Sequence, residues 1–284
     1  MPSSRRGISP TSRQRYSTKV LSMSDAKPNP FDPPADLASD AATASGSLQY
    51  GEAYRYVFAN PNWLTNVLLV TVCQLIPIIG PMVMLGYQFE IIEALHRDPR
   101  RLYPDFNFDS FVDYLKRGLW PFLVSLVAGM VIGIPLMVIL YIMMGIVFFI
   151  AASVGGDAGG VVGVLGFLLA FLGFMILAIV LGVLMMPMVL RAGLAQDFGE
   201  AFKVDFIKSF LTRTLKEMVL SALFIAATGM ALMLVGMLFC GVGTYVAASL
   251  LVLAQAHIYF QLYQLHLARG GDAIPLPPHS DAAK

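Results

Sequence analysis

The sequence predicts an all-α, polytopic transmembrane helix bundle, and three observations carry that prediction. First, only 13 % of the 284 residues are charged and 57 % are hydrophobic, whereas a soluble domain carries about 25 % charge. Second, stretches 56–89, 118–156, 158–190 and 218–268 contain no Asp, Glu, Lys or Arg. Each exceeds the roughly 20 apolar residues that a helix needs to cross a hydrocarbon layer about 30 Å thick, and the second and fourth exceed a single crossing. Third, runs such as 176–184 lack the alternation of a membrane barrel strand.

Residues 1–49 are rich in Ser, Pro, Asp and Ala, a composition that buries too little surface to offset chain entropy, and are expected to form a disordered tail. Arg5, Arg6, Arg13, Arg15 and Lys19 open this tail, but no apolar stretch follows them, so no secretion leader is expected. The basic cluster either touches anionic headgroups or precedes a second start at Met23.

About five membrane segments follow, at 63–89, 119–151, 161–190, 218–239 and 244–264. The first carries Gln74, Pro77, Gly80 and Pro81 near its middle. Each proline removes a donor and clashes one turn back, so this segment is either one bent span or a re-entrant pair of half-helices, its freed backbone groups covered by protein or water. Segments 119–151 and 161–190 form a hairpin joined through the Gly-rich stretch 153–160; Pro135 is expected to kink the first, and Pro187 the second near its end. Segments 218–239 and 244–264 form another, turning at Gly241-Val242-Gly243. Ser125, Gly129 and Gly133, like Gly156–Gly160 and Gly159–Gly163, have the spacing that lets helix backbones approach closely, within the bundle or between copies. Residues 269–284 are expected to form a short disordered tail.

Basic residues set the orientation. Arg97, Arg100, Arg101, Lys116 and Arg117 lie in one loop, and Arg191, Lys203, Lys208, Arg213 and Lys216 in another, while the turns at 152–160 and 240–243 have none. Both basic loops are expected in the cytoplasm. A spanning first segment puts the N-terminus outside, whereas a re-entrant one keeps it inside. Each basic loop also holds an amphipathic stretch: Phe108, Phe111, Val112 and Leu115, then Phe202, Phe206, Ile207, Phe210 and Leu211. These read as two cytoplasmic interfacial helices, lying in the headgroup plane or capping the bundle. Asp109, Phe111, Tyr114, Leu115, Arg117 and Leu119 match Asp205, Ile207, Phe210, Leu211, Arg213 and Leu215 at a constant offset of 96, which reads as a degenerate duplication.

No candidate catalytic, cofactor-binding or metal-binding residues emerge. No charge lies within a predicted span, which counts against an ion-coupled transporter. There is no nucleophile, zinc or phosphate-loop motif. His257 and His266 miss the i, i+4 spacing that places two ligands on one helix face. Cys73 and Cys240 read as buried apolar residues. The richest polar feature is the last helix, with Gln255, His257, Gln261, Gln264 and His266 beside Tyr259 and Tyr263. His257, Gln261 and Gln264 share a face, as a vestibule for a headgroup or solute or as interhelical hydrogen bonds.

Several short motifs carry a resemblance. Tyr54-Arg55-Tyr56-Val57-Phe58 and Asn60-Pro61-Asn62-Trp63 lead into Ile76-Pro77-Ile78-Ile79-Gly80. Gly86-Tyr87, Tyr103-Pro104-Asp105-Phe106 and Gly118-Leu119 follow. In this order they resemble the prokaryotic membrane family catalogued as domain of unknown function 4013, over residues 50–268. Tyr103 stands where the family more often has Leu. The resemblance implies a multi-pass protein of the cell membrane, with turn motifs rather than reactive groups and no known activity.

Taken together, these features suggest a non-enzymatic membrane component: a scaffold, a partner-binding subunit or a lipid organiser. The alternative is a permease or a lipid or small-solute carrier using the broken first segment and the polar last helix. Membrane lipids are the expected partners. A net charge of +1 gives no reason to expect nucleic acid, and the sequence leaves a protein partner or self-association open.

Overall fold

The computed structural model describes residues 48–99, 101–239 and 241–276, and every regular element among them is helical. Most of the tail expected at 1–49, the start at Met23, Arg100, Cys240 and residues 277–284 lie outside the described residues.

Helix α1 (Tyr50–Ala59) ends where Asn60, forced out of the helical region by Pro61, turns extended. Helix α2 (Trp63–Gln74) stops before Pro77, and the chain reverses through Ile78 at a φ of 67°. Positive φ is costly for a β-branched residue, so packing on either side must hold the turn. Helix α3 (Ile79–Arg97) then begins with Pro81 in its first turn, where no donor is needed. A Cβ on Gly80 would sit 2.2 Å from the Cys73 carbonyl oxygen, so only glycine lets α3 start this close to the end of α2. Twelve residues reach about 18 Å, short of a bilayer core. The loop after α3 packs against the start of α2, as the hydrogen bonds below show. The first segment therefore folds back as a hairpin of two helices, the form that the re-entrant reading expects, rather than as one bent rod.

After a short 3-10 turn (Phe108–Ser110), helix α4 (Phe111–Ala128) passes through a π turn (Gly129–Gly133) into helix α5 (Ile134–Val154). Pro135 accounts for the π turn, because it has no N–H for the carbonyl one turn back and its ring crowds that turn. Gly155 (φ 69°) starts the reversal into helix α6 (Gly156–Ala195), which runs unbroken through Pro187. A second 3-10 turn (Gly199–Phe202) leads to helix α7 (Val204–Met237), and Gly241 (φ 80°) turns the chain into helix α8 (Val242–Ala268). The two amphipathic stretches begin in the 3-10 turns, at Phe108 and Phe202, and run on through the leading turns of α4 and α7 into the apolar helices behind them. The order helix, 3-10 turn, helix recurs where the sequence repeats at an offset of 96.

Among the described residues, four helical stretches are long and apolar enough to cross a membrane: 108–154, α6, α7 and α8. The core gathers at one end, around α3. Tyr87, Phe89, Ile91, Ile92 and Leu95 are all buried. Its neighbours reach it through glycines: a Cβ on Gly86 would lie 1.8 Å from the Tyr114 carbonyl oxygen, and one on Gly118 1.8 Å from that of Met82. Gly193 lies under the Phe89 ring. Beyond this core α5 and the first half of α6 stand apart, and α5 has no buried residue. Gly159 and Gly166 bring α6 against Ala151 and Val147 of α5. Gly129 and Gly133, expected at a close helix approach, face open space instead.

The C-terminal segment differs from expectation as far as it is described. Gly271 N–H donates to the His266 carbonyl (2.9 Å), Ile274 N–H donates to the Tyr263 hydroxyl (2.8 Å), and Ile274 is buried. The chain therefore folds back on the core after α8 instead of leaving as a disordered tail.

Replacing Gly86 or Gly118 with valine should lower the melting temperature in detergent, since overpacking costs about 1–3 kcal/mol and here the obstacle is backbone. Gly173→Ala, at a helical position with open space around it, should not lower it.

Candidate functional site

The strongest polar cluster joins two of the short motifs. Asn60 Nδ2 and Asn66 Nδ2 donate to one oxygen of Asp105 at 3.1 and 3.0 Å, and Asn62 Nδ2 donates to the other at 2.7 Å. Asn66 returns the contact by accepting from Phe106 N–H at 2.9 Å, and Asn60 Nδ2 also reaches the Tyr103 carbonyl at 3.0 Å. Tyr103 donates to the Val57 carbonyl at 2.9 Å, and Tyr87 donates to that of Pro104 at 2.8 Å. The amides of Asn66, Asn62 and Asn60 hold the Asp105 carboxyl below its usual range, and the carboxylate sits beside the electropositive start of α2. Burial pushes Tyr103 up to about 12, which keeps it a neutral donor. With three side-chain amides from the α1–α2 region on one carboxylate, this arrangement serves as a clamp between the α1–α2 junction and the loop after α3.

A second set of bonds fixes the half-helix pair to α8. Gln74 Nε2 donates to Ser249 Oγ at 2.6 Å, the Ser249 and Thr71 hydroxyls are 2.9 Å apart, and Thr71 Oγ1 lies 2.8 Å from the Val67 carbonyl. Ser249 Oγ also lies 3.0 Å from the Tyr245 carbonyl, so its single proton has two acceptors within reach, Thr71 and Tyr245. Gln88 adds a long contact from α3 to the Val252 carbonyl, at 3.5 Å.

The polar side chains of α8 divide between neighbours. Gln261 bonds the backbone of Gln49 on both sides, accepting from its N–H at 2.9 Å and donating to its carbonyl at 3.2 Å. Its amide also lies 2.9 Å from His257 Nδ1, and His257 stacks on Tyr56 with ring centroids 4.6 Å apart. Gln264 pairs instead with His96 of α3 at 3.1 Å, and Gln255 donates to the Tyr259 hydroxyl at 2.6 Å. His266 is buried, stacked on Phe210 at 4.6 Å and edge-on to Phe206 at 5.4 Å. His257 and Gln261 thus come together against α1, while Gln264 and His266 serve other contacts. Of the two readings of this helix, the contacts match interhelical hydrogen bonding.

Ion pairs close the same end. Glu93, 5 % exposed, holds Arg97 and Arg117 at 2.5 and 2.6 Å and joins α3 to α4. Arg191 bonds Glu200 at 2.6 Å and lies 4.5 Å over the Phe206 ring. Arg269 pairs with Glu217 at 2.6 Å, joining α8 to α7. Cys73 is buried, as expected.

The opposite end is apolar. Tyr141, Phe149 and Leu169 of the α5–α6 hairpin are 73, 74 and 70 % exposed. Between the two helices, beside the π turn, lies a cleft of about 370 Å³ lined by Gly129, Gly133, Met137, Tyr141, Phe174 and Leu181, among others.

Sequence reading quoted Asn60, Asn62 and Asp105 as motif residues without pairing them, and missed Asn66, Thr71 and Ser249. The available signal was three asparagines within seven residues around the start of an apolar helix, and an Asp set among aromatic residues in the following polar loop.

A family model described as a protein of unknown function (DUF4013) matches residues 69–241. Neither the curated proteins nor the solved structures give a match.

Asp105→Asn should cost about 1–2 kcal/mol of stability near neutral pH, the range for charge-assisted bonds discounted for exposure. Because the folded pKa of Asp105 is lowered, this contribution is present above the ordinary carboxylate pKa and is lost as pH falls through the folded value. Melting curves should therefore show the gap between wild type and variant closing in acid.

Proposed function

The chain belongs to the DUF4013 family of proteins of unknown function, and we propose that it is a non-enzymatic component of the cell membrane that engages lipid through its α5–α6 hairpin. The observation that carries this reading is the contrast between the two ends of the bundle. His257, Gln261 and Gln264, the face of α8 that would have to receive a solute, are bonded within the protein, whereas α5 has no buried residue at all. In water so large an apolar surface would drive association; in a bilayer it is a surface for lipid. The hairpin also exceeds what anchoring requires. Helix α6 has 40 residues and reaches about 60 Å, twice a hydrocarbon core. It therefore crosses tilted or carries its tip past the far surface, and either arrangement perturbs the lipid around it. Arg97, Arg101, Arg117, Arg191, Arg213 and Arg269 lie in the loops and helix ends at the core end, which the positive-inside rule assigns to the cytoplasm.

The carrier alternative needs the half-helix pair to move against α8, but Gln74, Ser249 and Thr71 tie the two together.

Native mass spectrometry of protein released from its own membrane in mild detergent tests the proposal. The expected result is protein carrying phospholipid and no stoichiometric polar solute. A retained solute, together with vesicle flux that falls in Gln261→Ala or His257→Ala, would favour the carrier.

A further inference from the structure

We infer that the leading turns of α7 bind the phosphate groups of anionic membrane lipids through Lys208 and Lys216. The inference goes beyond the hairpin reading above, because it concerns another helix and a headgroup rather than an acyl surface. Most basic side chains at the core end are engaged inside the protein. Arg97 and Arg117 pair with Glu93, Arg191 and Lys203 with Glu200, and Arg269 with Glu217. Lys208 and Lys216 are both exposed, and neither has an ion pair among the described residues. Their spacing of eight places them on one stripe of the helix, with Thr212 between them. Thr212 is small and turns its proton back to the Lys208 carbonyl at 2.9 Å, so it leaves the space between the two ammonium groups open.

Charge and continuity with the lipid-facing side of α7 identify the partner. Leu223, Met230 and Leu234 carry the same stripe away from the core end, and all three are exposed. The charge-free run begins at Met218. Lys216 therefore stands at the edge of the hydrocarbon, and Lys208 about 12 Å further out along the helix. Flexible lysine stems lie along apolar surface and carry the ammonium groups to the phosphate layer. Val204, 71 % exposed, and Leu215 flank the two lysines, which suits a membrane surface rather than a water-borne acidic partner. The matching turns of α4 provide the contrast. At the offset of 96, Val112 stands where α7 has Lys208, and Trp120 where it has Lys216. The exposed charges on α4 and the 3-10 turn before it are Asp109, Asp113 and Lys116, and Lys116 lies 4.0 Å from Asp113. Two acids and one lysine are thus presented there, against two lysines and one acid, Asp205, on α7. Asp205 sits in the first turn of α7, where the helix dipole favours a carboxylate. An anionic headgroup is drawn to the second repeat and not to the first.

The test uses the full-length protein in detergent with an equimolar mixture of palmitoyl-oleoyl phosphatidylglycerol and palmitoyl-oleoyl phosphatidylcholine, examined by native mass spectrometry. A lysine near a lipid surface is worth about fivefold in binding, so the wild type should retain phosphatidylglycerol over phosphatidylcholine by about tenfold or more. The double variant Lys208→Gln, Lys216→Gln should retain the two lipids about equally, and each single variant should show an intermediate preference. Lys116→Gln, on the matching turns of α4, should keep the wild-type preference. Melting temperatures equal to that of the wild type check that every variant is folded, and the two single variants decide the matter if the double variant is not. A wild type that retains both lipids equally, or a preference unchanged in the lysine variants of α7, would overturn the site while leaving the hairpin reading intact. A preference lost equally in Lys116→Gln would overturn it too, by assigning the effect to overall charge. Retention of neither lipid by the wild type would overturn both.

Discussion

The Asp105 carboxylate, bonded by the amides of Asn60, Asn62 and Asn66, is the constraint on which the rest of the arrangement depends. It fastens the loop leaving α3 to the start of α2, so the chain that enters the bilayer at Trp63 must return to the same surface. Given that return, α2 can be short, the Pro77–Pro81 break becomes the tip of a hairpin, and the positive φ at Ile78 is held from both ends. A half-helix alone would leave its polar groups poorly served in lipid. The Gln74–Ser249–Thr71 bonds supply the lateral partner, so the clamp fixes the depth of the pair and α8 fixes its face.

With the pair in place, α3 becomes the centre of the core, although it is not among the long apolar helices. Its approach to α4 is backbone to backbone at Gly86 and Gly118, and it receives Arg117 on Glu93 only because that approach is so close. Most of the buried core and of the ion pairs therefore lie at one end of the bundle. This leaves α5 and the first half of α6 as an apolar arm with little internal packing, stabilised by its surroundings rather than by its own core. The division of labour follows from composition: polar residues buy geometry at one end, and their absence at the other leaves lipid as the natural neighbour.

Much of this was legible in sequence. The helical class, the two long hairpins, their glycine turns and the basic end follow from charge-free lengths and the placement of Arg and Lys, because the bilayer imposes those rules on any chain. The break at Pro77–Pro81 was legible, but not its consequence. Two half-helices and one bent span share the same local pattern, and only the long-range pairing of Asn66 with Asp105 separates them. The glycines were read as a packing ladder from spacing alone; Gly159 does approach a neighbour, whereas Pro135 turns Gly129 and Gly133 toward an open slot. The polar face of α8 likewise looked like one surface, yet its residues serve three neighbours, because spacing fixes the face of a helix but not which partner crosses it. Nor could composition foresee that Ile274 would pack back into the core after α8.

The re-entrant hairpin is tested most directly by which side of the membrane each end of it faces. In a background with Cys73 and Cys240 replaced by serine, single cysteines at Glu52, Asp109 and Asp157 can be labelled in sealed, oriented vesicles with a membrane-impermeant maleimide. The account predicts that Glu52→Cys and Asp109→Cys react from the same side and Asp157→Cys from the opposite one. Labelling of Glu52→Cys and Asp109→Cys from opposite sides would show that the first segment crosses the bilayer, and would contradict the central role given to the Asp105 clamp.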